Sequence, residues 1–184
     1  MKRAFTIMEV NLAILIMAGG ILAMVSLYSL GYRENRQSRE DVAGAAIADA
    51  VMSPLVMACS ATNLSWDSFK DMPSYPSEKG WADYFNSSTG LVDKNPQSKA
   101  EETFGSVMGY LGKAAEKAGG TLDVDTKFPS SAVDGTGMKC GLVVMHKKGS
   151  PVVKIAFRAT HQPGMLLSMP MYYTEVRFQG DPSK

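Results

Sequence analysis

Histidine and cysteine are scarce in this chain, at two residues each in 184. His146 and His161 form no zinc-type spacing with Cys59 and Cys140, which argues against a zinc site. No local arrangement supports a Cys–His nucleophile pair. No glycine-rich phosphate loop occurs; "GGT" and "GTG" stand alone. Charge of one sign is also lacking. Nineteen basic and eighteen acidic residues leave a net charge of +1, which excludes a nucleic-acid binder relying on overall basicity. The chain is expected not to be an enzyme and to bind no nucleic acid.

The third deficit is local. Between Phe5 and Gly31 there is no proline, and Glu9 is the only formal charge. Residues 10–30 read "VNLAILIMAGGILAMVSLYSL", with Asn11 the one strongly polar side chain. Twenty-one helical residues extend about 32 Å, enough to cross a hydrocarbon layer of roughly 30 Å. A soluble core helix rarely stays apolar on every face for so long. The run is also too long for the h-region of a cleaved secretory signal. The small-residue sites "AGA" (43–45) and "ADA" (48–50) lie beyond a charged stretch. Basic residues flank both ends: Lys2 and Arg3 before, Arg33, Arg36 and Arg39 after. Basic-residue counting therefore leaves orientation ambiguous, and the short N-terminus favours export of the C-terminal part.

A carboxylate at the head of such a segment needs a partner. Alternatively, Glu9 reaches back to the membrane interface. The surrounding "RAFTIMEV" resembles the processing site of type IV pilin-like proteins. Those carry a short basic leader, a small residue before the cut, a Phe after it and a Glu four residues further on. The run "EVNLAILIMAGGILAM" is most similar to the minor pilins and pseudopilins of the PilV and general-secretion I type. The resemblance covers roughly residues 1–60.

The resemblance implies cleavage between Ala4 and Phe5, N-methylation of Phe5, and Glu9 as the assembly carboxylate facing a neighbour's N-terminal amine. Ala4 stands where the family usually has Gly. Implied partners are identical or related pilin subunits, a prepilin peptidase, an inner-membrane assembly platform and membrane lipid. The implied location is the inner membrane, single pass with the N-terminus inside, then an extracytoplasmic filament. An uncleaved, signal-anchored extracytoplasmic binding protein is the alternative.

The organisation read from the chain is a leader (1–4), a membrane or filament-core helix (5–31), its amphipathic continuation (32–58) and a globular head (59–184). The fold class is α+β, a long N-terminal helix packed on a small head with an antiparallel sheet, the pilin-like lollipop. Val42, Ala46, Ala50 and Leu55 fall near helical spacing, and Ile47, Val51 and Leu55 do so strictly. Pro54 is expected to kink or end the helix. Residues 60–97 read as loop-rich, with short helical pieces at Trp66–Asp71 and Trp81–Ser87; Trp66, Phe69, Trp81, Tyr84 and Phe85 read as core anchors.

A soluble helix is predicted over 98–118, opened by a Ser98–Glu101 capping box. Its stripe is Phe104, Val107, Met108, Leu111, Ala115 and Ala118, and Gly119 stops it. Gly105, Gly109 and Gly112 weaken this helix but leave room for close packing. Strands are predicted at 139–147, 151–159 and 171–179, the first two joined through "KGS".

Cys59 and Cys140 are candidates for a disulfide if the head is exported, or for two buried free thiols. Asp123, Asp125 and Asp134 are weak calcium candidates, because they offer no complete oxygen cage; no other cofactor is expected. His146, at a strand end, is expected to be a solvated side chain.

Overall fold

A computed structural model describes residues 6–75, 96–161 and 171–180. The elements are α1 (Ile7–Cys59), α2 (Trp66–Lys70), α3 (Pro96–Lys117), α4 (Ser130–Val133), β1 (Lys139–His146), β2 (Val152–Thr160) and β3 (Tyr172–Arg177). The chain divides into two compact units, Met1–Glu40 and Asp41–Lys184. The first is the N-terminal part of α1, and its described residues are exposed from Thr6 to Arg39. It contains a stretch long and apolar enough to cross a membrane, none of it buried by protein. Hydroxyls within the stretch are satisfied along the helix: Ser26 donates to the Leu22 carbonyl at 2.9 Å and Ser29 to that of Ser26 at 3.0 Å. Arg36 and Glu40 pair at 2.9 Å one turn apart.

The second unit is α+β. Its sheet is antiparallel in the order β1-β2-β3. Lys139 opposes Thr160 and His146 opposes Val153; on the other side Val152 opposes Arg177 and Phe157 opposes Tyr172. The predicted hairpin is present. Its turn places Gly149 at φ +79°, a left-handed conformation that glycine takes without a Cβ penalty. Alternation selects Cys140, Leu142 and Val144 from β1, and Val153, Ile155 and Phe157 from β2, for one buried layer. Helix α3 packs against β1, and Phe104, Val107, Met108, Leu111 and Ala115 from it are fully buried.

The C-terminal part of α1 joins the same core through Ile47, Val51, Leu55, Ala58 and Cys59. The strictly spaced triplet Ile47, Val51 and Leu55 is thus buried as expected, whereas Val42 and Ala46 are exposed and Ala50 is only half-buried. The small residues Gly44 and Ala48 occupy the stripe instead. Their size is what admits a neighbour: a Cβ on Gly44 would stand 3.2 Å from the Tyr172 hydroxyl. That hydroxyl donates to the Asp41 carbonyl at 3.3 Å.

Pro54 does not end α1, which continues to Cys59. A proline there removes a helical hydrogen bond, a cost of about 3 kcal/mol. Leu55, Ala58 and Cys59 are all completely buried just beyond it. Burying a leucine side chain returns about 1.5–3 kcal/mol by itself, so core packing carries the helix through the break.

Helix α3 begins at Pro96, two residues before the expected cap. Proline suits the first helical turn, where its missing N–H has no intrahelical role, so Ser98 lies inside the helix. The C-terminus is as anticipated at Gly119 (φ +80°). The N–H groups of Gly119 and Gly120 donate to the carbonyls of Glu116 and Ala115, both at 3.0 Å, which is the Schellman arrangement. Ala118 is exposed rather than part of the stripe. Nor do Gly105, Gly109 and Gly112 serve close packing: a Cβ at any of them would meet nothing within 4 Å.

Helix α2 matches the first of the short helical pieces, with Phe69 fully buried and Trp66 packed against the core. Phe178 stacks near both, at ring-centroid distances of 4.8 Å and 5.1 Å. The piece at Trp81–Ser87, with Trp81, Tyr84 and Phe85, lies outside the described residues.

Candidate functional site at the N-terminus of helix α1

Thr6 and Glu9 form a local motif that a search for long-range partners of Glu9 does not identify. The Glu9 carboxylate oxygen Oε2 accepts from the Thr6 backbone N–H at 2.9 Å and from its hydroxyl at 3.1 Å. In return the Glu9 N–H donates to Thr6 Oγ1 at 3.4 Å. This is a reciprocal capping box, and its signature, Thr-x-x-Glu ahead of an apolar run, stands in the sequence as "TIME". The signature is thus legible in the sequence, although a lone charge in an apolar segment points to distant partners before the residue three positions back.

The box explains the start of α1. A helix leaves its first N–H groups without intrahelical acceptors, and Thr6 and Glu9 satisfy them at its entrance. A carboxylate in the first turn also faces the positive end of the helix dipole. Such a cap contributes about 1 kcal/mol. Placing a carboxylate at the centre of a bilayer costs roughly 3 kcal/mol by insertion scales and more by others. The cap alone therefore offsets only part of the cost of drawing Glu9 into an apolar medium. Glu9 Oε1 takes no bond among the described residues, so a further donor has an acceptor to meet.

Ala4 and Phe5 lie outside the described residues. The amide N–H of Thr6 would persist after cleavage between them, because that peptide bond is on the far side of Phe5. The capping box and processing at Ala4–Phe5 are chemically compatible.

Along the rest of the segment the apolar side chains point into open space. Ile7, Leu15, Leu22, Val25, Leu27 and Tyr28 are each more than half exposed. A Cβ on Gly19 or Gly20 would meet nothing. A surface of this kind is satisfied by lipid or by other apolar helices.

The remaining candidates fall elsewhere. Cys59 and Cys140 are free thiols, both fully buried in the common core. Burial pushes each thiol up to about 12, with Glu101 adding to the effect at Cys140. Asp123, Asp125 and Asp134 are exposed, and among the described residues no cluster of three or more ligand-type side chains could hold a metal. Asp125 is engaged locally, accepting from the Lys127 N–H at 2.9 Å.

His146 is not solvated. It is buried, with ring nitrogens near the Met72 and Ser150 carbonyl oxygens. The strand end where it sits is covered by the segment following α2, a long-range contact that strand periodicity does not disclose.

No family model, curated protein or solved structure matches the chain.

Proposed function

We propose that the protein is a structural subunit of a type IV pilus or a type II secretion pseudopilus. In this reading a prepilin peptidase cuts after Ala4. The helix is stored in the cytoplasmic membrane and then drawn into a filament. The observation that supports it is the makeup of α1: an unburied apolar stretch begins directly after a single carboxylate, and the helix continues into the core residues Ile47–Cys59. Glu9 then meets the α-amino group of Phe5 in the adjacent subunit, an opposite charge that compensates what the Thr6 cap leaves uncompensated.

A second reading has its own support. Because the Thr6–Glu9 box gives the carboxylate two donors within its own chain, Glu9 is also consistent with a helix end held at the membrane interface. The protein would then be an uncleaved, signal-anchored extracytoplasmic binding protein.

The deciding experiment is the intact mass and N-terminal residue of the protein extracted from membranes of its native host. A chain starting at N-methylated Phe5, with processing blocked by Ala4→Leu, is the result expected of a filament subunit. A chain retaining Met1–Ala4 supports the anchored binding protein and removes the filament reading.

A further inference from the structure

We propose that the face of the sheet turned away from the core docks an acidic segment of a partner protein, with one large apolar side chain of that segment seated over Val143 and Ala156. Strand register defines this face. Val143, Ala156 and Tyr173 stand in one row across the three strands, and Met145, Lys154 and Glu175 in the next. Their neighbours Leu142, Val144, Ile155 and Phe157 belong to the opposite, core side. Val143 and Ala156 are nevertheless only 2% and 3% exposed, although neither is part of the core cluster. They floor a cavity of about 340 Å³, whose other described lining residues are Met145, Lys154, Met171 and Tyr173. A mostly apolar hollow with a few polar groups at its rim is the makeup of a site that takes an apolar group.

Charge identifies the occupant. At the positions of this face stand Lys139, Lys154, Arg158 and Arg177, against a single carboxylate, Glu175. Glu175 is engaged on the face itself. Lys154 Nζ lies 3.2 Å from its Oε1, and the Tyr173 hydroxyl donates to the same carboxylate. From Asp41 onward the chain carries fourteen basic and fifteen acidic residues. The excess of cations on the sheet is therefore local and does not reflect overall basicity. A partner segment rich in Asp and Glu meets a complementary potential there, which speeds encounter and fixes orientation.

The recessed floor favours a protein segment over an anionic lipid surface. A surface that binds a bilayer buries projecting apolar side chains in it, with basic residues around them. Here Val143 and Ala156 lie beneath the rim, so the apolar group must come from the partner. An apolar residue set between carboxylates supplies both halves of the match: its side chain enters the cavity while the flanking acids meet the basic positions around it. The inference concerns the head alone and stands whether or not the chain is cut after Ala4.

The test is an NMR titration of the 15N-labelled full chain, in zwitterionic detergent micelles, with an acetylated peptide of sequence Glu-Asp-Phe-Asp-Glu. The amides of Val143, Met145, Ala156 and Tyr173 should shift, saturating with peptide and returning at high salt. Replacing the peptide's phenylalanine by alanine should weaken binding about tenfold, the loss of one buried aromatic side chain. Lys154→Glu, at an exposed position, should weaken it by about tenfold or more while the amide signals of Leu142, Ile155 and Phe157 stay in place. Absence of shifts at millimolar peptide, shifts confined to another face, or equal binding of a peptide with lysines for its acids would overturn the proposal. So would shifts at these amides produced by phosphatidylglycerol in the micelles but not by peptide, which make the face a lipid contact. Shifts that follow protein concentration alone overturn it in favour of a contact between copies. Titration of the unsubstituted protein decides the matter even where Lys154→Glu disturbs the sheet.

Discussion

At the scale of single residues, two kinds of polar group are handled in opposite ways. Glu9 is served by its own neighbour, so removing Thr6's hydroxyl should be felt locally. Thr6→Val is expected to loosen the first turn of α1 by about 1 kcal/mol. Backbone amide exchange at Glu9 and Val10 in micelles should rise roughly fivefold, with the head amides unchanged. The cysteines are instead shielded by hydrocarbon. With each thiol moved from 9.0 to about 12, the thiolate fraction near pH 8 is roughly a thousandfold below that of an exposed cysteine. Alkylation by iodoacetamide should therefore be negligible in the native protein and complete in denaturant, with two labels per chain by mass. The linked effect on stability has a definite sign. The unfolded chain releases these protons first, so stability falls as pH climbs above about 9. A bridge between Cys59 and Cys140 would show as failure to label in denaturant without reductant.

Element by element, what could be read from the sequence was whatever has a strong short period. The three strands and the Ile47–Val51–Leu55 stripe follow from spacing of two or near four, the hairpin turn and the Gly119 stop from the local chemistry of glycine, and the structure carries them. The departures share another cause. Pro54 does not end α1, because Leu55, Ala58 and Cys59 beyond it are buried. His146 lies at a strand end, and only a segment more than seventy residues earlier in the chain makes that end an interior. The Thr6–Glu9 box is legible as Thr-x-x-Glu, but a charge at the head of an apolar run points equally to a long-range partner. The glycines of α3 show the converse: Gly105, Gly109 and Gly112 hint at a close approach that does not occur. Gly109→Ala should accordingly stabilise the head by about 0.5–1 kcal/mol, the difference in helix propensity, measured as a rise in the midpoint of chemical denaturation.

Across the whole molecule, the division at Glu40 and Asp41 separates an exposed apolar stretch of helix from a packed core. Among the described residues no buried residue precedes Gly44, and the exposed apolar segment lies entirely before the division. A chain beginning at Asp41 should keep its far-ultraviolet circular dichroism and sediment as a soluble monomer without detergent. The full chain should partition into a detergent phase. Aggregation or unfolding of the shorter chain would mean that residues before Asp41 contribute to the core.

The core also imposes an order in time. Ile47, Val51 and Leu55 are among the early products of translation, yet Val176, in the last strand, belongs to the same buried cluster. At about 5–20 residues per second the ribosome needs roughly 6–25 s to bridge that interval. For those seconds the packing around the later turns of α1 is incomplete, although Phe69 and Phe104 of the same cluster are made earlier. β3 is thus the strand whose arrival completes the cluster that the later turns of α1 belong to, and a chain stalled before Tyr172 is left with both an open core and an exposed apolar segment.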